Sequence, residues 1–363
     1  MPGLADVSNP DVLVVGSGPA GSATAIWCAL QGLRVVLIER ELFGRSHPGE
    51  TLHPGVEPLL KQLGVIEPVL EAGFLRHSGN WVQWEAANQF VPFGEDESGA
   101  WLGFQAWRAD FDTILLNRAK YLGVTVLQPC RASRLLVDGC RVVGVETSQG
   151  AFRASKVVDA AGSHHWLARQ LGLQIYYHSP RLIAHYGYVC GECPARDDAP
   201  AIVADSCGWT WTARVRSQLY QWTRLSFVGQ KIQKDWLPEE FQGLNIHQKT
   251  RTSDVTWRIV SQPAGQGYFM VGDAAMVLDP ASSHGVLKAI MSGMMAGHLI
   301  SSELLGKITE QQAIQQYCQW IHQWFRHDVE NLGRLYTKLP NPPFGTDNDG
   351  RRLKPPSVRS STV

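Results

Sequence analysis

The stretch DVLVVGSGPAGSATAIWCALQGLRVVLIER, Asp11 to Arg40, decides the fold. Val12 to Val15 read as a short apolar strand, and a glycine-rich turn follows. Gly16, Gly18 and Gly21 form GxGxxG, with Pro19 and Ala20 inside it. The pattern predicts a helix over Ser22–Gln31, stopped by Gly32, then a second strand over Arg34–Ile38 closing on Glu39 and Arg40. Gly16 permits a tight turn, Gly18 lets a pyrophosphate approach the backbone, and Gly21 lets helix and strand pack closely. The free N–H groups and positive dipole end of the helix face the phosphates. Glu39 can accept hydrogen bonds from an adenosine ribose. GxGxxG alone is a weak signal; set between strand, helix, strand and acid, it points to a dinucleotide, FAD or NAD.

Three later stretches extend the pattern. WRADFDTILLNRAKYLGVTVL, from Trp107, places Arg108 ahead of a helix ending near Leu122–Gly123, with a strand over Val124–Leu127. SKVVDAAGSHHWLARQLGL, from Ser155, reads as a strand, then Asp159-Ala-Ala-Gly162, then Arg169. GYFMVGDAAMVLDPASSHGVLKAIMSGMMAG, from Gly267, carries Gly272-Asp273, Asp279-Pro280, Ser283 to Val286 and a long helix of small residues. In this order the motifs resemble the flavoprotein monooxygenases of the para-hydroxybenzoate hydroxylase type, and more closely the flavin-dependent halogenases. The resemblance runs from Asp11 to about Gly297 and implies an α/β fold with a Rossmann-like, glutathione-reductase-type FAD-binding domain. It implies that Asp273 bonds the ribityl chain and that Arg108 lies near the cofactor. Pro280 to Gly285, with Ser283 and the adjoining Val286, would pass under the isoalloxazine. Asp159 and Gly162 belong to the implied cofactor set; a strand-end turn is the structural alternative for Asp159, and a surface charge for Arg169.

Between Tyr176 and Val255 apolar and polar residues alternate, which predicts an antiparallel sheet laid over the flavin domain. WVQWEAANQFVPF, near Trp81, is expected to join it. The substrate domain, 76–104 with 176–255, is therefore inserted into an FAD-binding domain of 8–75, 105–175 and 256–305. Tyr317, Trp320, Ile321, Trp324 and Phe325 recur at helical spacing, so 306–340 is expected to be a C-terminal helical segment with a core-facing stripe. The polar, proline- and glycine-rich run 341–363 is expected to be a flexible tail.

Gly49-Glu50-Thr51, with Pro54, resembles the halogenase GE(S/A)T segment and brings Glu50 and Thr51 to the site. Gly208-Trp209-Thr210-Trp211 resembles the first half of the halogenase GWxWxIP motif, without its Ile-Pro. Alternation puts both indoles on one face of a strand. The resemblance makes Trp209 and Trp211 a pocket wall beside the flavin; core packing is the alternative. Halogenases keep a lysine in a Phe–Lys pair that steers hypohalous acid. Here the matching pair is Phe74-Leu75, and the adjacent Arg76 carries a poorly nucleophilic guanidinium. Without that amine, oxygen transfer is expected instead of halogen transfer.

GETLHP, GWTW, DPASSHG and the C-terminal QQYCQWIHQWFRHDVENLGRLY resemble, more narrowly, the flavoproteins that mature tryptophylquinone oxidases and dehydrogenases. That resemblance implies an FAD-dependent monooxygenase hydroxylating an indole through a flavin C4a-hydroperoxide, the indole being a tryptophan of a partner precursor protein. Glu50 and His284 are the general-base candidates, His53 a weaker one, and each histidine has a structural alternative. Lys288 either contacts the flavin or faces solvent. The rival readings are a small-molecule aromatic hydroxylase, a halogenase, a geranylgeranyl-reductase-like enzyme, and a flavin-binding chaperone without turnover. Electrons come from NAD(P)H or a separate flavin reductase, because FAD takes the one dinucleotide fingerprint.

The 33 basic and 33 acidic residues balance, so bulk charge recruits neither nucleic acid nor a membrane surface. No apolar run reaches membrane-spanning length, and the opening stretch lacks a basic segment leading into an apolar one. A cytoplasmic protein is expected. Its seven scattered cysteines suit reduced thiols. Cys190 and Cys193 lack the second pair or spaced histidines of a metal site, so no metal is expected.

Overall fold

A computed structural model describes residues 9–339 apart from 43, 45, 46, 85, 86, 228–231 and 234. The expected tail at 341–363 lies outside the described residues. Val12–Val15 lies inside a six-stranded sheet ordered Thr125–Leu127, Val35–Ile38, Val12–Val15, Lys156–Asp159, Tyr268–Met270 and Ala264–Gly265. The first five strands run parallel and the last is antiparallel. Every residue of VLVV and VVLI is buried, as unbroken apolar runs in a parallel sheet require. The first helix spans Pro19–Leu30, three residues earlier than the pattern predicts. Proline at the first helical position loses no hydrogen bond, since that N–H has no partner in the helix.

A second helix, Gly285–Leu304, packs along the first. Glycines let the two approach: a Cβ on Gly293 would lie 2.3 Å from the Ala20 carbonyl oxygen, and one on Gly297 3.0 Å from Trp27 Cβ. A three-stranded antiparallel meander, Ala132–Asp138, Arg141–Thr147 and Gly150–Arg153, is an addition that the motifs do not announce.

The second large sheet has seven strands, ordered Asn245–Asp254, Ile183–Cys190, Leu219–Ser226, Gly208–Arg216, Ala201–Asp205, Gly79–Gln83 and Gln89–Pro92. It departs from the expected antiparallel pattern at one junction, where Ala201–Asp205 pairs parallel with Gly79–Gln83. These two strands come from separate stretches of chain, so no hairpin dictates their direction. In a small sheet the two edges of the first insert, Leu75–His77 and Gly103–Gln105, join Thr51–Leu52.

Register sorts the side chains of the large sheet. Trp209 pairs with Leu225, Trp211 with Thr223, and Ala213 with Gln221. Thr223 and Gln221 pair in turn with Tyr186 and Tyr188. Trp209, Trp211, Gln221, Thr223 and Tyr188 therefore share a face. Tyr188 bonds Glu50, so that face turns toward the flavin domain. On the other face Trp222 covers Gly187 and packs with Phe241.

The C-terminal helix spans Glu310–Tyr336 and starts with a capping box between Thr309 and Gln312. Its buried stripe contains Tyr317, Ile321 and Phe325, as the spacing predicts, and continues through Asp328, Leu332 and Tyr336. Among the described residues no helix is long and apolar enough to cross a membrane.

Candidate active site

At the phosphate end, Gly16 has φ +103°, and a Cβ there would lie 2.5 Å from the Ala160 carbonyl oxygen. A Cβ on Gly21 would lie 1.9 Å from the Gly16 carbonyl oxygen. Gly18 is the N-cap and offers no side-chain cap, while Pro19 and Ala20 are buried at the helix start. The first-turn N–H groups are left for an anion. The buried Glu39 accepts the Ser17 N–H and O–H at 3.0 and 2.7 Å on one oxygen and the Glu41 N–H at 3.0 Å on the other. Both oxygens of Glu39 thereby hold the end of the strand against the glycine turn. Arg40 is exposed and pairs with Glu41 at 3.3 Å.

Asp159 takes its structural alternative. It is fully buried and accepts the N–H groups of Ala161 and Leu167 at 2.8 and 2.9 Å, closing the turn that holds Gly162. Burial pushes its carboxyl up to about 6. Arg169 is exposed, a surface charge.

Asp273 follows Gly272, whose φ is +57°. It is solvent-accessible, and no side-chain partner holds it among the described residues. An open acid beside the glycine cradle fits a polyol such as the ribityl chain. Arg108 donates to both oxygens of Asp112 at 2.9 and 3.0 Å and to the Pro48 carbonyl at 2.9 Å. It thereby braces the segment carrying Glu50. Glu50 is buried and accepts the Gly49 N–H at 2.9 Å and the Tyr188 hydroxyl. Burial raises its pKa, opposed by Tyr188, its backbone contacts and the charge of Arg108.

Thr51 donates to Gln105 Oε1 at 2.9 Å, and Gln105 Nε2 lies 3.2 Å from His77 Nε2. His77 Nδ1 lies 3.0 Å from the Gly79 carbonyl. One assignment satisfies all three contacts: a neutral His77 protonated on Nδ1. His77, Phe93, His53 and His284 then follow edge to face, with ring centroids 5.3, 5.4 and 5.3 Å apart. His53 Nδ1 accepts the Gly55 N–H at 3.0 Å, which leaves its proton on Nε2. Burial lowers the pKa of His53. Burial, with the positive charge of Lys288, lowers His284 to about 4. At neutral pH both rings are uncharged bases.

His284 occupies the N-cap position of the helix that begins at Gly285, without a side-chain cap bond. Just before it, Pro280 and Ser283 are exposed, with Ser283 at φ +54°. A Cβ on Gly285 would meet nothing within 4 Å, so the backbone there is open to a flat ring. Val286 is buried behind it.

Lys288 neither faces solvent nor stands free for a flavin. It is buried and ion-paired with Asp328 of the C-terminal helix. The tryptophan pair divides as well. Trp209 is 1% exposed, packs with Trp84, Leu225, Trp257 and Leu332, and donates to the Tyr336 hydroxyl at 2.7 Å. It is interior, not pocket wall. Trp211 is half-buried on the same face. Of the two, Trp211 has a surface to offer a ligand.

Leu75, which motif resemblance matches to the halogenase lysine, opens a strand. Arg76 is committed to Glu57 at 3.1 Å and to the carbonyls of Gly103 and Leu102 at 3.1 and 2.9 Å, and it stacks 3.8 Å over Phe104. Among the described residues no group of three His, Cys, Asp or Glu side chains is placed to hold a metal. The cysteines are free thiols, and Cys190 Sγ lies 3.4 Å from His247 Nδ1. Tyr188, Gln105, His77 and Phe93 escape motif reading. Each lies on or beside a strand with no local signature, and only strand pairing and packing bring them to the site.

Residues 9–192 match the family described as FAD binding domain. A tryptophan 2-halogenase of Chondromyces crocatus is 30% identical over 338 residues, 85% of this chain and 64% of that protein. The chain therefore spans less than two thirds of that relative. A 1H-pyrrole-2-carbonyl-[peptidyl-carrier protein] brominase of Pseudoalteromonas luteoviolacea is 28% identical over 84% of this chain and 80% of its own. The solved flavin-dependent brominase Bmp2 shares the fold with a TM-score of 0.81 at 24% identity, covering 91% of this chain and 88% of that one. The solved pqsL, a probable FAD-dependent monooxygenase from Pseudomonas aeruginosa, does so at 0.77 and 14%, covering 93% and 98%. The family match takes in half of the sequence, and the fold is common to proteins named on both sides of the halogenase–monooxygenase divide. The chain belongs to the FAD-binding domain family, and flavin-dependent halogenases are among the proteins it is similar to.

Proposed function

We propose that this flavoprotein transfers oxygen to an electron-rich aromatic ring, an indole foremost, and that its substrate is a tryptophan side chain of a partner precursor protein of a quinone-cofactor oxidase or dehydrogenase. Bound FAD supplies the oxidising equivalent drawn from molecular oxygen. The chain supplies the rest. Trp211 offers an aromatic face to the substrate ring. His53 and His284, uncharged at neutral pH, can accept the proton that the ring sheds after attack. Glu50, held by Tyr188 and Gly49, fixes the segment at the mouth of the site.

The observation that carries oxygen over halogen is position 75: a leucine stands where an amine would be needed, and the neighbouring Arg76 is fully engaged. The protein-substrate form rests on the narrower motif resemblance, with Phe90, Val91 and Trp101 exposed on the substrate sheet and its flanking segment. Halogenation is the second reading. The halogenases among the relatives favour it, one named for tryptophan and one for a pyrrole.

The test supplies the FAD-loaded protein with NADH, a flavin reductase, isotopically labelled oxygen and bromide. Free tryptophan, indole and proteins encoded beside its gene are offered in parallel, and products are read by mass. Labelled oxygen on a tryptophan of a neighbouring protein is expected. Bromine on the ring would establish the second reading. Oxygen on the free indole alone would make it a small-molecule hydroxylase.

A further inference from the structure

We infer that Tyr336, on the last turn of the C-terminal helix, is a positioning residue for the flavin ring loop, acting through Asp279 and steadied by Trp209. The inference rests on the placement of the ring over Pro280–Gly285. Asp279 is 0% exposed. A buried carboxylate is tolerated only when donors surround it. Asp279 Oδ1 accepts the Ala281 N–H at 2.9 Å and caps the turn Pro280–Ser282. Its Oδ2 accepts Trp257 Nε1–H at 2.6 Å and the Tyr336 hydroxyl at 3.1 Å. Trp209 Nε1–H donates to the same hydroxyl at 2.7 Å. One unbroken path runs from the substrate sheet, through the C-terminal helix, to the start of the ring loop.

The same helix also holds the far side of that loop. Asp328, two turns before Tyr336, pairs with Lys288, one turn into the flavin helix. Residues 279 and 288 bracket the loop, and one helix grips both. Trp209 and Trp211 share a face two residues apart, so the strand offering Trp211 to a substrate is linked to the ring loop through the Tyr336 hydroxyl.

The experiment uses the FAD-loaded full chain with Tyr336→Phe, Trp209→Phe, the double variant, and Leu332→Ala as a packing control. The readouts are the visible flavin spectrum, the reduction potential, the FAD dissociation constant and the melting temperature. Tyr336→Phe is expected to shift the flavin spectrum and potential and to weaken FAD binding about tenfold, the scale of one hydrogen bond to a charged group. Trp209→Phe should move the same signals less, and the double variant should go no further than Tyr336→Phe alone. Leu332→Ala should lower the melting temperature and leave the flavin signals in place. A Tyr336→Phe protein with unchanged flavin signals and affinity would overturn the inference, as would additive effects in the double variant. Should Tyr336→Phe not fold, Trp209→Phe decides by the same signals. Single substitutions across residues 280–285, in an otherwise unchanged chain, that all leave the flavin signals unmoved would instead overturn the placement of the ring.

Discussion

The two ends of the cofactor site are built differently. At the phosphate end, one run of thirty residues supplies strand, glycine turn, helix start and acid, and its contacts are mostly backbone. At the ring end, Glu50, His53, Asp279 and His284 come from two distant loops, and Tyr188, Trp209 and Tyr336 from three further elements hold them. The first end is a local structure that exists once the strand and helix form. The second exists only when the flavin domain, the sheet and the C-terminal helix have docked. Damage should therefore stay local at the phosphate end and spread at the ring end.

The largest expected effect breaks the ring end. Trp209→Ala removes a buried indole and its bond to Tyr336, and should lower unfolding free energy by about 3–5 kcal/mol in denaturant titration. Trp211→Ala, from a half-buried position, should lower it far less while cutting turnover. Equal losses in stability would erase the division between the two. Next, Gly293→Ala drives a methyl into the Ala20 carbonyl and should cost about 1–3 kcal/mol, loosening both ends together. Asp273→Asn should weaken FAD binding about tenfold by titration and change the unliganded protein's melting temperature little, since Asp273 feels Arg258, Arg108 and Lys288 only through space.

The smallest effect is a slope. His284 titrates at about 4 in the fold against an ordinary 6.5. Between those values the unfolded chain binds the extra proton, so this residue's contribution to stability is lost as pH falls from about 6.5 to about 4. Asp279, raised from 3.8 to about 6, has the opposite sign: the folded state holds the proton in that window, and stability falls as pH rises through it. His284→Gln should flatten the acid-side loss in a stability–pH profile. An unchanged slope would mean that His284 is solvated in the fold.

The sequence discloses the phosphate end almost completely, because GxGxxG encodes a backbone shape and the residues that make it are adjacent. The positions of Asp273 and of the loop at Pro280–Gly285 are legible through motif order. The fate of Trp209 is not. Alternation places both indoles on one face, but which of them meets the C-terminal helix depends on how Tyr336, more than a hundred residues away, docks. Lys288 looks anomalous in an apolar helix until Asp328 appears opposite it. Asp159 fits a cofactor motif, yet the backbone N–H groups of Ala161 and Leu167 occupy both its oxygens. In each case the deciding partner is remote in sequence or carries no side-chain signature.

The glycine seam between the two long helices has a mechanical consequence. One helix begins at the phosphates and the other at the ring, and they touch where Gly293 meets the Ala20 carbonyl. At Gly293 the helix lies against the Ala20 carbonyl and the Thr24 hydroxyl, and at Gly297 against the Trp27 side chain. The seam works as a fixed gauge, setting the span from phosphate cradle to ring loop as a single length. A flavin missing its adenylate half would engage one jaw and leave the other idle, and no local adjustment could shorten the gap.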